Sequence, residues 1–506
     1  MKNGVVYNNG KGSIAAMEVL LNDVQMIIEF VLEHLVFLNL VLGIIIVFFQ
    51  RKDPKSVWAW LLILYFIPIL GFVFYLLIGT DMHKKKMFRT KEIEDKLSDA
   101  IRRQESIIRN SELVSSYPEM GDYGDMVLYH LRVSESILTD DNRVDFFVDG
   151  REKFAAMAED IRKAKKSIHI QYYIIGDDEL FAALKEILKQ KISEGVEVRI
   201  LFDAMGCREV KRRFWKELER EGFQIGEFFP AIFGRLQLRI NYRNHRKIVV
   251  IDGKIGYTGG FNLAREYVSL DPKFGYWRDT HMRITGSAVG SLQTRFILDW
   301  NFAVRDKTLV FERYMAEPEP DGRAGSPVQI VTSGPDSGIK AIRDTYLRMI
   351  HKAKKSIYIQ TPYFIPDEAI MSALVIAVRS GIEVCVMIPC RPDHPFVYWA
   401  TYSYVGELVM QGAKCYTYEN GFIHAKGIIV DEMVLCYGTA NMDIRSFALN
   451  FEVNAIIYDK KKAEEMVGYF KEDLKNSKLI TKNSYAIRSL WIRFKEQVSR
   501  LLSPLL

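Results

Sequence analysis

Two histidine–lysine pairs are the residues of this chain best suited to chemistry. The stretch Asn241–Asn262 carries His245, Lys247 and Asp252 in an H-x-K-x4-D pattern, followed by Gly259, Gly260 and Asn262. The stretch Phe422–Asn441 repeats it with His424, Lys426 and Asp431, followed by Gly438, Thr439 and Asn441. One copy alone reads most simply as the end of a surface strand. Two copies 179 positions apart, each trailed by the same Gly/Asn turn, are hard to obtain by chance. An imidazole titrates near about 6.5, so it serves as nucleophile or as general acid and base around neutrality. A phosphodiester resists attack because its charge repels nucleophiles. Lys247 and Lys426 would neutralise that charge, with Asn262, Thr439 and Asn441 as hydrogen-bonding partners of the phosphoryl oxygens. His245, Lys247, Asp252, His424, Lys426 and Asp431 are therefore the candidate catalytic set. Within it, Asp252 and Asp431 read as anchors of the turn after each strand.

Each motif runs into an apolar, β-branched segment, Ile248–Ile251 and Ile428–Val430, which predicts a buried strand. Side chains alternate along a strand, so His245 and Lys247 are expected on one face. The repeat extends further. Ala164–Gln171 (AKKSIHIQ) matches Ala353–Gln360 (AKKSIYIQ), and Gly195–Leu201 matches Gly381–Met387. The offsets of 189, 186 and 179 differ only by small loop changes, so the chain holds two homologous halves. Each reads strand, helix, strand and then the motif strand, an α/β pattern. The first half is expected at 115–325 and the second at 326–485, with Pro318–Pro327 as the break between them. Two such halves facing each other would bring both His–Lys pairs into one cleft.

The chain has 506 residues, enough for a membrane module and a large globular part. Its 49% hydrophobic and 12% aromatic content argues against widespread disorder. Residues 1–82 hold two apolar segments, about 26–49 and 57–78. The second runs 22 residues without a charge, and together they predict a membrane hairpin. Lys84, Lys85, Lys86, Arg89 and Lys91 open a basic linker helix over 83–114, suited to anionic lipid. More basic residues flank the two segments than lie between them, which places the catalytic part in the cytoplasm. The tail, 486–506, repeats Ile487, Leu490, Trp491, Phe494, Val498, Leu501 and Leu505 at helical spacing. It would lie in a membrane interface or pack on the catalytic part. The basic run Arg208–Arg220 reads as a solvated helix face. The five cysteines are odd in number and form no C-x-x-C pair, so neither a disulfide framework nor a zinc site is indicated. No histidine shows H-E-x-x-H spacing, and no metal or cofactor is expected.

The paired motif resembles the phospholipase D superfamily. With Arg51–Trp60 and Pro68–Phe72, the layout resembles bacterial cardiolipin synthases over about Leu40–Leu506. The resemblance implies two phospholipase D-like α/β halves forming one catalytic unit behind the membrane hairpin. It implies transfer of a phosphatidyl group between two phosphatidylglycerol molecules, through a phospho-histidine, in the bacterial cell membrane. The partners would be anionic membrane lipids, with no nucleic acid, and the oligomeric state stays open. It also implies that a carboxylate further along each half orients the histidine: Asp279 in the first half, Glu452 in the second. The first-half histidine, His245, would attack and His424 would act as acid and base. The motif itself leaves water or another alcohol as acceptor open. A nuclease and a non-enzymatic lipid-binding scaffold are the rival readings.

Overall fold

The structure is a computed structural model and describes residues 11–48, 54–78, 104, 106, 120–230, 242–304, 308–316 and 325–501. The expected basic helix around Lys84–Lys91 lies outside them. So do loop residues 50–53, most of the linker and tail residues 502–506. The described residues fall into an N-terminal unit ending at Ile78 and a large unit from Gln104 onward.

In the N-terminal unit, Lys11–Phe48 is one helix, followed by helices Pro54–Phe66 and Pro68–Ile78. The uncharged run is thus divided. Pro68 has no N–H to offer the Leu64 carbonyl. The buried amide of Asn39 donates there instead, 3.3 Å to Leu64 O and 3.2 Å to Pro68 O. The fold-back is tight: a Cβ on Gly71 would come within 2.8 Å of the Ile63 carbonyl oxygen. Helices of 13 and 11 residues rise only about 20 and 17 Å, short of a hydrocarbon core of about 30 Å. In the first helix Glu29, Glu33, His34 and Asn39 interrupt the apolar run. Among the described residues no helix is long and apolar enough to cross a membrane. This overturns the expected membrane hairpin. Membrane embedding, the two-span placement in the cell membrane and the cytoplasmic side inferred from two crossings fall with it.

The large unit is built twice from one plan. The first half contains β1 (Leu138–Asp149), β2 (Ser167–Tyr172), β3 (Glu197–Asp203), β4 (Gln224–Phe228), β5 (Arg243–Asn244), β6 (Ile248–Ile251), β7 (Ile255–Gly259) and β8 (Trp277–Thr285). The second contains β9 (Ser326–Ser333), β10 (Ser356–Gln360), β11 (Phe364–Ile365), β12 (Glu383–Pro389), β13 (Lys414–Tyr418), β14 (Phe422–Ile423), β15 (Gly427–Val430), β16 (Val434–Gly438), β17 (Met442–Asp443), β18 (Asn450–Ile457) and β19 (Ser477–Ile480). The order β1-β8-β7-β6-β2-β3-β4 is matched by β9-β18-β16-β15-β10-β12-β13, which β19 extends. In each, two parallel pairs carry the matched repeats and the motif strand runs antiparallel beside them. Every residue of β2, β6, β10 and β15 is buried, as their near-continuous apolar runs require of strands covered on both faces. β1 also pairs with β9, joining the halves at one edge.

Two short pairings cross between halves. β5 runs parallel to the start of β18, and β14 runs parallel to the start of β8. His245 N donates to Phe451 O at 2.9 Å, and His424 N donates to Arg278 O at 2.7 Å. Each motif therefore leaves its own sheet just where its histidine stands. His245–Lys247 and His424–Lys426 occupy the break before β6 and β15 rather than one continuous strand. The reason is the change of partner: the backbone there bonds the opposite half.

Candidate active site

The crossed pairings decide which carboxylate meets which imidazole. The residue after Phe451 is Glu452, and the residue after Arg278 is Asp279. His245 Nδ1 lies 3.0 Å from both Glu452 carboxylate oxygens. His424 Nδ1 lies 2.6 Å from Asp279 Oδ2. Asp279 and Glu452 each contact a histidine, and in both cases it is the histidine of the other half. A carboxylate only accepts, so Nδ1 carries the proton in both rings and Nε2 is the reactive nitrogen.

The lysines fold back on their own motifs. Lys247 Nζ donates to His245 O at 2.8 Å, and Lys426 Nζ donates to His424 O. Lys426 also stands 3.9 Å from Asp279. Both ammonium groups are buried. Burial pulls Lys247 down to about 7 and Lys426 to about 8, against the opposing pull of Glu452 and Asp279. Burial also lowers His245, and takes His424 to about 4 with the Lys426 charge beside it. Asp279 and Glu452 are held below the usual carboxylate range: burial opposes this, but the lysine and histidine opposite each outweigh it. Lys247 and Lys426 depress each other's neighbours across the halves, so the four groups form one electrostatic unit.

The flanking residues differ between halves. Thr439 Oγ1 donates to Glu452 Oε2 at 2.5 Å, and the Asn450 amide donates to Oε1 at 3.2 Å. Gly260 stands in place of Thr439, and a Cβ there would collide with the Asp279 carboxylate. The shorter Asp279 occupies the volume that the longer Glu452 leaves to a hydroxyl. Asn262 donates to Tyr267 Oη at 2.6 Å and accepts from Ile174 N at 3.2 Å. Asn441 Oδ1 is buried without a protein partner. Asp252 and Asp431 lie at the far ends of β6 and β15, away from the histidines. Asp252 accepts from the N–H groups of Lys165, Lys166 and Ser167; Asp431 accepts from those of Lys354, Lys355 and Ser356. Both have left-handed backbones, φ +52° and +55°. These are the anchors of the A-K-K-S repeat.

Several supporting residues escape a reading from motifs. Buried Arg246, between the motif's His and Lys, contacts Asp299 at 2.7 and 2.8 Å and the carbonyls of Glu452 and Ser333. Arg278, just before Asp279, contacts Asp473 at 3.0 Å. Asp299 and Asp473 each also accept from the glutamine that ends the matched repeat, Gln171 and Gln360, both at 2.7 Å. The signal was present: a repeated buried Gln, and Arg246 where the second copy has Ala425. Tyr173 packs edge-on against His245 at 5.2 Å, and Trp277 lies 5.1 Å from His424, so the imidazoles are walled by aromatics.

Twin imidazoles backed by carboxylates and flanked by lysines, on a duplicated α/β frame, define a two-half phosphoryl-transfer unit of the phospholipase D kind. The family described as "Cardiolipin synthase, PLD-like domain" matches residues 157–274 and 346–474, and "Phospholipase_D-nuclease N-terminal" matches 37–79. The chain is 49% identical to the major cardiolipin synthase ClsA of Bacillus subtilis over 471 residues, 93% of this chain and 97% of that one. It is 50% identical over 470 residues to a cardiolipin synthase of Oceanobacillus iheyensis (93% and 97%) and 47% identical over 482 to one of Listeria innocua (95% and 100%). A crystal structure of phosphatidylserine synthase from Haemophilus influenzae shares the fold, with TM-score 0.57 and 15% identity over 72% of this chain and 95% of that one. The chain belongs to the bacterial cardiolipin synthases of the phospholipase D superfamily.

Proposed function

We propose that the site makes cardiolipin in two displacements at one phosphorus, with His245 as nucleophile. The enzyme is a phosphatidyltransferase: it moves a phosphatidyl group from one phosphatidylglycerol to another and releases glycerol. In the first step His245 Nε2 attacks phosphorus and the bond to the head-group glycerol oxygen breaks. His424 Nε2–H gives that oxygen its proton. In the second step the glycerol hydroxyl of another phosphatidylglycerol gives its proton to His424. Its oxygen attacks phosphorus, and the phosphorus–nitrogen bond breaks. One phosphodiester is exchanged for another, so no external energy source is required.

The observation that carries this reading is the crossed pair of imidazole–carboxylate contacts. Glu452 stabilises the positive charge that His245 gains on phosphorylation. Asp279 does the same for protonated His424. In the empty site burial keeps His424 neutral, at about 4. An incoming phosphodiester brings a negative charge between the lysines, which favours the protonated ring and both ammonium groups. Lys247 and Lys426 hold the phosphoryl oxygens. The choice of His245 as attacking group rests on resemblance to the superfamily. Lipids recovered from phosphatidylglycerol bilayers after incubation with the enzyme test the function: cardiolipin and glycerol should appear in equal amounts. Phosphatidic acid without cardiolipin would make water the acceptor. The assignment is tested in His424→Ala with a substrate bearing a good leaving group, which should trap the adduct on His245. An adduct on His424 in the unaltered enzyme reverses it.

A further inference from the structure

The C-terminal helix Leu490–Leu501 is packed inside out. Its polar side is buried against the large unit: Glu496 and Ser499 are among the most buried side chains. Arg488 Nε reaches Glu496 at 2.7 Å, and Arg500 reaches Glu407 at 2.6 Å on helix Pro395–Gln411. Its apolar side faces outward. Ile487 is 75% exposed, Leu490 80%, Trp491 63%, Phe494 56% and Leu501 81%. Trp491 and Phe494 stack with ring centroids 5.4 Å apart, and both remain exposed among the described residues. A helix that merely packed on its domain would turn these groups inward.

What surrounds the face narrows the occupant. Lys495 lies over both Trp491 and Trp399, and Arg493 is exposed beside Phe494. On the two helices the acidic side chains are Glu496, which is buried, and Glu407, which is paired with Arg500. The rim is therefore basic around an apolar, aromatic centre. A second copy of the chain laid on this face would oppose like charges, whereas anionic head groups complement them. The face also continues toward the catalytic groups. Exposed Phe396 and half-buried Trp399 stand on the first turns of helix Pro395–Gln411. Asp393, just before that helix, accepts from Tyr363 and supports the charge of Lys426.

We propose that this face, formed by Ile487, Leu490, Trp491, Phe494 and Leu501 with Phe396, rests on the surface of an anionic bilayer and sets the cleft against its lipid substrates. The contact runs along the interface, with the helix axis in its plane, and needs no helix that crosses. The aromatics would enter the head-group layer while Arg493 and Lys495 meet phosphates.

The test uses the full chain on phosphatidylglycerol vesicles doped with a lipid carrying a diazirine in its acyl chain. After irradiation, peptide mapping should find adducts within 487–501, centred on Trp491 and Phe494. In a second arm, Trp491→Glu/Phe494→Glu should raise the apparent KM for long-chain phosphatidylglycerol in vesicles at least tenfold. Its kcat on a short-chain phosphatidylglycerol kept below its micelle concentration should be unchanged. Trp491→Ser/Phe494→Ser serves if the charged pair fails to fold. Adducts elsewhere with 487–501 unmodified would overturn the proposal. So would equal loss on both substrates, which marks a packing role. A dimer that the substitutions dissociate, with vesicle activity unchanged, would assign the face to a second copy and overturn it as well.

Discussion

Replacing Glu452 by Gln isolates the charge behind His245. Gln has nearly the same shape, and the local donors tolerate it. Its oxygen can keep the Asn450 amide and the His245 Nδ1–H, while its NH2 faces Thr439, whose hydroxyl can turn to accept. What is lost is one negative charge beside a ring that becomes cationic on phosphorylation. The contacts are 3.0 Å. Taking charge centres at about 4 Å and an effective dielectric near 20, the interaction is worth roughly 4 kcal/mol. About 3–4 kcal/mol lost from the transition state lowers kcat by roughly 10² to 10³. Affinity for phosphatidylglycerol should fall less than kcat, because both lysines remain and lose only the support of the Glu452 charge. The readout is initial glycerol release from phosphatidylglycerol vesicles, together with nitrogen-15 titration of the imidazoles. Glu452→Gln should move the His245 resonance and leave His424 nearly still; Asp279→Asn should do the reverse. If Glu452→Gln shifts His424 instead, or lowers kcat less than threefold, the crossed arrangement is wrong.

Other consequences follow from the same geometry. Lys247 and Lys426 sit at about 7 and about 8 in the empty site, so near pH 8.5 they are largely neutral. Binding a phosphodiester there should take up roughly one to two protons, which calorimetry in buffers of different ionisation enthalpy would register; no uptake refutes the lysine roles. The same depressed values act on stability. An unfolded lysine binds its proton up to about 10.5, so between about pH 7 and 10.5 the unfolded chain holds more protons and the burial penalty is relieved as pH rises. Lys247→Met should flatten that part of the stability curve in chemical denaturation. Gly260→Ala places a methyl against the Asp279 carboxylate and should reduce kcat at least a hundredfold while binding of the catalytic unit to substrate persists; unaltered kcat would mean that Asp279 has room to move. Asp252→Ala removes three N–H partners far from the histidines and should cost about 1–3 kcal/mol in thermal unfolding with kcat within a fewfold; the opposite pattern would place Asp252 in the chemistry.

The duplication, the motif residues and the α/β plan were legible in the chain because each is local. Spacing, β-branched runs and matched segments survive in one dimension. The place of Asp252 and Asp431 at the end of each motif strand was legible for the same reason: a turn after an apolar run is local chemistry. What the sequence could not show is which groups from distant segments meet. Asp279 and Glu452 lie far along their own halves, and only the crossed pairings of β5 with β18 and β14 with β8 hand each carboxylate to the opposite histidine. Arg246 and Arg278 became meaningful only when Asp299 and Asp473 appeared beside them. The N-terminal helices show the converse. Hydropathy along Val57–Ile78 is continuous, but Pro68 leaves a carbonyl that Asn39 caps from another helix, and the chain folds back there. Amphipathic spacing in the tail revealed that Leu490–Leu501 has two sides. Burial of Glu496 through Arg488 decided that the polar one faces in. Local pattern determines which elements form and what each could offer; contact between remote segments determines which of those offers is taken up.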